Sequence, residues 1–85
     1  MTRENNIRKE ILLQAYGCRS LALSAERIQR DARKEGYDFT VSEVKRELPF
    51  LVGEGLLKET AMPGVTEKYF EITSAGIRHY EQNLA

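Results

Sequence analysis

Two side chains in the chain have the chemistry of nucleophilic catalysis, and neither has the partners that a reaction needs. The single histidine, His79, has Arg78 and Tyr80 beside it on a predicted helix, and we expect it to face solvent. The single cysteine, Cys18, has no second thiol or placed histidine to complete a mechanism. One cysteine and one histidine also fall short of a structural zinc site, and no glycine-rich loop is present to hold a phosphate. The sequence therefore predicts no enzyme, no metal and no cofactor.

Cationic and hydroxyl side chains on two predicted helices have the chemistry of duplex DNA binding. On the third helix, Ser42 and Arg46 could meet base edges while Lys45 could meet a phosphate. The second helix has an outward face of three cations, Arg27, Arg30 and Lys34. Such a face could neutralise phosphates and release their counterions. These residues are the predicted DNA-binding site, and for each of them the alternative is an ordinary solvated helix charge.

The overall charge balance weighs against nucleic-acid binding. Thirteen basic residues are matched by thirteen acidic ones, whereas a basic surplus is the usual electrostatic sign of a nucleic-acid-binding domain. Residues 1–40 hold eight basic and six acidic residues, and residues 41–85 hold five basic and seven acidic residues. We place Glu43, Glu47 and Glu54 together on the other exposed flank of the third helix, where they would repel a phosphate backbone.

Exposed apolar residues support a second interpretation, in which the domain binds protein and no nucleic acid. Phe50 is predicted to face outward from the third helix, and Met62 lies at an uncharged turn. Leu13 lies opposite the buried face of the first helix, so it should be exposed unless another chain covers it. Clustered apolar side chains on a surface mark contacts with protein.

Because one DNA-binding module binds weakly, a homodimer is also expected under the DNA-binding hypothesis, with Leu13, Tyr16 and the last helix as its candidate surface.

The period of the apolar residues predicts four helices with a hairpin before the last of them. The helices are expected at about 4–16, 25–35, from 41 to near 53 or 55, and from about 74 to 83. Asn5 or Asn6 is expected to cap the first helix and Ser24 the second, and Thr40 with Glu43 forms a capping box before the third. Two short strands are expected at about 56–60 and 66–72, with turn residues between them. The core stripe of the third helix consists of Val41, Val44, Leu48, Leu51 and Val52.

Length and composition limit the class of protein. The chain has 85 residues, 41% of them hydrophobic and 31% charged, which is the balance of one small globular domain spanning residues 1–85. No apolar run approaches the roughly 18 residues of a membrane span. A single cysteine is typical of a reduced compartment, and the start of the chain is polar, so the chain is expected to be cytoplasmic.

The order of these elements is that of a winged helix. The segment VxxxLxxLVxxGLL at residues 44–57 resembles the third helix and first wing strand of winged helix-turn-helix regulators. The segment YxxITxxG at residues 69–76 resembles the second wing strand and following helix of MarR-like and PadR-like proteins, and the short chain is similar to small prophage winged-helix proteins. The resemblance implies an α+β fold with a three-helix core, a two-stranded wing and a C-terminal helix. It also implies transcription regulation, with the third helix in the major groove.

Overall fold

The computed structural model describes residues 2–61 and 63–84, which form four helices and one antiparallel sheet. In chain order the elements are α1 (Arg3–Gly17), β1 (Leu23–Ser24), α2 (Ala25–Lys34), α3 (Val41–Gly53), β2 (Leu57–Thr60), β3 (Tyr69–Ile72) and α4 (Ser74–Asn83). The α+β class predicted from the sequence is confirmed. None of the helices in the described ranges is both long enough and apolar enough to cross a membrane.

Each helix begins at a side-chain oxygen that accepts a backbone N–H. The capping residues are Thr2, Ser24, Thr40 and Thr73. The predicted capping box is confirmed, because Thr40 accepts from the backbone of Glu43 while the carboxylate of Glu43 accepts from the backbone of Thr40. The prediction that Asn5 or Asn6 caps α1 was wrong. Thr2 lies in extended backbone and accepts from the Asn5 N–H at 3.1 Å, so the helix begins earlier.

The sheet has three strands in the order β1-β3-β2, where the sequence predicted a two-stranded hairpin. Leu23 of β1 pairs with Phe70, and Leu57 of β2 pairs with Ile72. Leu21 and Leu23 are two residues apart, a spacing that predicts one shared face, but Leu21 is 50% exposed and Leu23 only 2%. Leu21 lies in the turn before β1, where its N–H donates to the carbonyl of Cys18.

Two glycines bring α4 against the start of β2. Gly55 has a positive φ of 78°, a conformation that favours glycine, and it ends the turn from α3 into the strand. Thr73 then ties this turn to α4, since its hydroxyl donates to the carbonyl of Gly55 at 2.6 Å. A Cβ atom at Gly76 would meet the main-chain carbonyl oxygen of Leu56, so only glycine permits this close approach.

The core is a single cluster of aliphatic and aromatic side chains from all the elements except α4, which contributes half-buried residues at its edge. The largest fully buried side chains are those of Ile7, Ile11, Leu23, Ile28, Val44, Leu48, Leu51 and Leu57. Of the predicted α3 stripe, Val41 and Val52 are half-buried at the edge of the cluster. Burial along α1, α2 and α3 therefore follows the predicted apolar period and leaves one side of α3 facing outward.

Candidate nucleic-acid interface

The N-terminal half of α3 exposes the three side chains that the sequence singled out. Ser42, Lys45 and Arg46 are all exposed. Successive residues of an α-helix are turned by about 100°, so Ser42 and Arg46 share one face and Lys45 lies beside them. A polar hydroxyl and two cations are thus available within about one turn of the exposed surface of α3.

The glutamates of α3 do not form the exposed acidic flank that the sequence predicted. Glu47 is only 5% exposed, and the Arg8 Nε donates to its Oε1 at 2.6 Å. Glu43 is half-buried and accepts from the Arg3 guanidinium, with 3.0 Å between Arg3 Nη2 and Glu43 Oε1. Both pairs form because α1 packs along this side of α3. Only Glu54, after the end of the helix, is exposed as expected.

An ion-pair network joins the N-termini of α1 and α3. Arg3 donates to Glu43 and also to the carboxylate of Asp38 at 3.1 Å. The hydrogen bond from Arg3, aided by the backbone N–H of Thr40, lowers the pKa of Glu43 to about 2. The hydrogen bonds to Glu43 and Asp38 raise the pKa of Arg3. Glu43 therefore stays ionised at any physiological pH, and its charge is matched by α1.

The cations of α2 are less available than the sequence predicted. Arg27 Nε and Lys34 Nζ lie 3.8 and 3.9 Å from the carboxylate of Asp31, which is about one turn from both of them. Two of the three predicted cations are therefore paired within their own helix. Exposed pairs of this kind contribute about 0–1 kcal/mol, so a stronger anion could displace Asp31. Arg30 is exposed and makes no ion pair within residues 2–61 and 63–84.

A glutamate interrupts the positive surface between α2 and α3. Glu26, in the first turn of α2, has its Oε2 3.4 Å from the Nζ of Lys45. Both side chains are exposed, so the pair is weak and open to exchange with solvent ions. The cations of the two helices therefore do not form one continuous band.

The groove between α3 and the β2–β3 hairpin has an acidic rim. Its charged lining consists of Glu26, Glu59 and Glu67 with Lys45 and Lys68, over a floor that includes Leu48 and Phe70. Carboxylates outnumber ammonium groups here. A phosphate entering this groove would therefore meet net repulsion, so the outer face of α3 suits an anion better than the groove does.

The residues predicted for a protein interface do not form one surface. Leu13 and Phe50 are exposed, as expected, but they line different grooves. The Arg8 guanidinium lies 3.7 Å from the ring centroid of Phe50 and covers one of its faces. Met62 lies outside the residues that the structure describes.

Tyr16, a predicted part of a dimer surface, is engaged within the chain. Its ring stacks on that of Tyr80 with the centroids 4.3 Å apart. Its hydroxyl donates to the carboxylate of Glu81 at 2.8 Å, and this bond raises the pKa of Tyr16. Tyr16 therefore fastens α1 to α4, which leaves Leu13 as the more exposed of the two dimer candidates.

Sequence reasoning missed the residues that set the charge around α3. Arg3 and Arg8 neutralise its glutamates from 39 or 40 positions away in the chain, and Glu26 pairs with Lys45 from a different helix. No local signal marks such partners. A hydrophobic period locates the buried face of a helix, but it does not say which neighbour supplies the counter-charge.

The two groups considered for catalysis have different surroundings: His79 lines a groove with Asn5 and Arg8 at the start of α1, and Cys18 follows the end of α1. Cys18 and His79 are both half-buried, and His79 lies near Asn83 of its own helix. Within residues 2–61 and 63–84, no three His, Cys, Asp or Glu side chains are grouped to hold a metal ion.

Comparison of the sequence with models of known protein families and with curated proteins finds no match. The surface of α2 and α3 is therefore the main guide to function.

Proposed function

We propose that this chain is a winged-helix protein that binds duplex DNA and regulates transcription, with α3 in the major groove. The observation that carries the proposal is the division of charge on α3. Ser42, Lys45 and Arg46 are exposed, whereas Glu43 and Glu47 are turned towards α1 and paired with its arginines. The exposed N-terminal half of α3 is therefore cationic, although α3 as a whole contains equal numbers of both charges.

The topology is compatible with a winged helix. Three helices pack together, with α3 in contact with both α1 and α2. The short β1 joins the β2–β3 hairpin to form one sheet, and the hairpin would be the wing. In helix-turn-helix proteins of this kind, the N-terminal residues of the recognition helix contact base edges. Ser42, Lys45 and Arg46 lie in that half of α3.

The side chains of α3 suit different parts of a duplex. Arg46 can form two parallel hydrogen bonds with a guanine, a contact that discriminates by about 1–3 kcal/mol against the wrong base. Ser42, one turn earlier, can donate to or accept from an adjacent base. Lys45 and Arg30 suit phosphates, and a phosphate would compete with Glu26 for Lys45. We expect the chain to act in the cytoplasm and as a dimer. Two copies would bind two half-sites of one duplex.

Duplex binding at two salt concentrations tests this function. Anisotropy of a labelled duplex of mixed sequence should show binding that weakens steeply between about 50 and 200 mM salt. Lys45→Ala should reduce the slope of log K against log salt by about 0.9, the value for one phosphate contact. Arg46→Ala should weaken binding, while Arg78→Ala, which removes an exposed cation of α4, should have little effect. Absence of salt-sensitive binding would refute the proposal.

A protein-binding module is the second candidate, and the acidic groove between α3 and the hairpin favours it. The hairpin turn is also uncharged at Pro63, Gly64 and Val65, where a DNA-binding wing commonly has Arg or Lys. This alternative predicts that Phe50→Ala abolishes capture of a protein partner while Arg46→Ala leaves capture intact. If Arg46→Ala and Arg30→Ala destroy function while Phe50→Ala does not, the second candidate is wrong.

A further inference from the structure

A groove between α1 and the C-terminal half of α2 is lined by hydrogen-bond acceptors. Its lining residues are Glu10, Leu13, Gln14, Asp31, Glu35 and Tyr37, around a volume of about 370 Å³. Three of the six side chains are carboxylates, and no lysine or arginine from the described ranges lines the groove. The groove therefore has the chemistry to receive a cation.

The base of the groove holds a carboxylate without a cationic partner. Glu10 is only 5% exposed and forms no ion pair within residues 2–61 and 63–84. Its Oε2 accepts from Gln14 Nε2 at 3.0 Å, and the same Nε2 donates to the carbonyl of Ile28. The Oε1 of Gln14 is buried and has no hydrogen-bond partner. Buried acceptors are nearly always paired, so the Oε1 of Gln14 lacks a donor, and Glu10 beside it has a hydrogen bond but no cation.

The rim of the groove combines exposed apolar surface with further carboxylates. Leu13 and Tyr37 are 46% and 42% exposed, so both offer apolar surface at the rim. Glu35 is exposed beside them. Asp31 is approached by Arg27 and Lys34 at 3.8 and 3.9 Å, longer than an N–H···O hydrogen bond, so its oxygens can still accept.

We propose that this groove binds an arginine side chain of a protein partner. A guanidinium has five donors and no acceptor, so one group can serve both Glu10 and Gln14. Its plane also suits the ring of Tyr37, and Leu13 offers contact for the aliphatic stem. Lysine is a poorer fit, because it is a compact point charge without the guanidinium's planar fork of donors.

This site does not include the exposed residues of α3 that are proposed to contact DNA, although its Asp31 also pairs with Arg27 and Lys34 of the predicted α2 face. Asp31 faces the groove shared with α1, whereas Glu26 lines the groove on the α3 side of the same helix. A partner in the α1–α2 groove would therefore leave Ser42 and Arg46 uncovered. The inference does not depend on DNA binding, and its test needs no nucleic acid.

The test is a titration of the isotope-labelled full chain, followed by amide NMR, with N-acetyl-arginine amide. The matched probe is N-acetyl-citrulline amide, which has the same length but no charge. Arginine amide should produce saturable shifts at Leu13, at Glu35 to Tyr37 and at the side-chain amide of Gln14. Citrulline amide should produce shifts several-fold smaller, because its neutral ureido group cannot form an ion pair with a carboxylate.

Variants of the carboxylates locate the site. Glu10→Gln should weaken arginine-amide binding about tenfold, as expected for loss of a charge-assisted hydrogen bond. Glu35→Gln should weaken it by up to about fivefold, the effect of one exposed charge. Because Glu35 is exposed, this variant keeps the test valid even if Glu10→Gln fails to fold. Glu59→Gln, which removes an exposed carboxylate of the other groove, should have no effect.

Several results would overturn the proposal. Equal shifts with citrulline amide or with N-acetyl-lysine amide would show that no guanidinium site exists. Shifts that map to Glu26 and Glu67 would assign the cation to the hairpin groove. If diluting the protein alone moved the amides near Leu13 and Tyr37, and arginine amide did not compete, the face would be a contact between two copies of the chain.

Discussion

Replacing Arg8 by alanine should destabilise the fold strongly, because it leaves the buried carboxylate of Glu47 without its cation. The Glu47 side chain is 6% exposed and lies 2.6 Å from Arg8, whose own side chain is 27% exposed. Removing one partner of a buried pair costs about 3–5 kcal/mol. The partial exposure of Arg8 favours the lower end of that range, about 3 kcal/mol.

Urea and thermal unfolding, followed by circular dichroism, measure this loss. In a domain of this length, a stability loss of about 1 kcal/mol lowers the midpoint of thermal unfolding by about 4–8 °C, so Arg8→Ala should lower it by at least about 12 °C. Arg78→Ala removes an exposed arginine of α4 and should change stability by less than about 0.5 kcal/mol. A loss below about 1 kcal/mol for Arg8→Ala would mean that the pair behaves as an exposed one, and the reasoning would be refuted.

A double variant separates charge from packing. Replacing Arg8 and Glu47 together by leucine removes both charges and keeps apolar volume, and such exchanges are often neutral or stabilising. We therefore expect the double variant to be more stable than Arg8→Ala. If it is equally unstable, the loss in the single variant comes from the contact between Arg8 and Phe50 rather than from the orphaned carboxylate.

Three further predictions concern other contacts. The pKa of Glu43, about 2, is below its ordinary value of 4.5, so its contribution to stability is present above that value and is lost as the pH falls towards 2. Between pH 4.5 and about 2, the free energy of unfolding of Glu43→Gln should therefore decrease less than that of the unaltered protein. An unchanged pH profile would contradict the Arg3 contact. Gly76→Ala should lower the free energy of unfolding by about 1–3 kcal/mol, because the added methyl group overpacks against a carbonyl oxygen. Gly53 has open space around it, so Gly53→Ala should be tolerated. Equal losses for the two variants on urea unfolding would contradict this reasoning. Finally, Glu26→Gln should tighten duplex binding by up to about fivefold in anisotropy, and unchanged affinity would show that the contact with Lys45 does not restrain binding.

Features with a local cause could be predicted from the sequence. The caps at Ser24 and Thr40 depend on a hydroxyl and an N–H three residues apart, and the buried stripe of α3 depends on a period of 3.6 residues. The exposure of Ser42 and Arg46 follows from the same period. These elements were correct because neighbours in sequence are enough to determine them.

The remaining features depend on partners distant in the chain. A strand of two residues, β1, has no measurable period, and it exists only because β3 offers Leu23 a partner. Glu47 was predicted on the exposed flank, since a charged residue beside a hydrophobic stripe is usually solvated. Its burial requires Arg8, which is 39 residues away. Glu10 was missed for a related reason, because the period of α1 does not reveal that α2 closes over it.

The dependence of α3 on α1 has a practical consequence for protein engineering. An α3 helix grafted into another scaffold without Arg3 and Arg8 would carry two uncompensated carboxylates beside Ser42, Lys45 and Arg46. Deleting the first two turns of α1 from this chain would have the same effect. The surface charge of α3 is therefore a property of the α1–α3 pair, and a transplanted helix would keep it only together with Arg3 and Arg8.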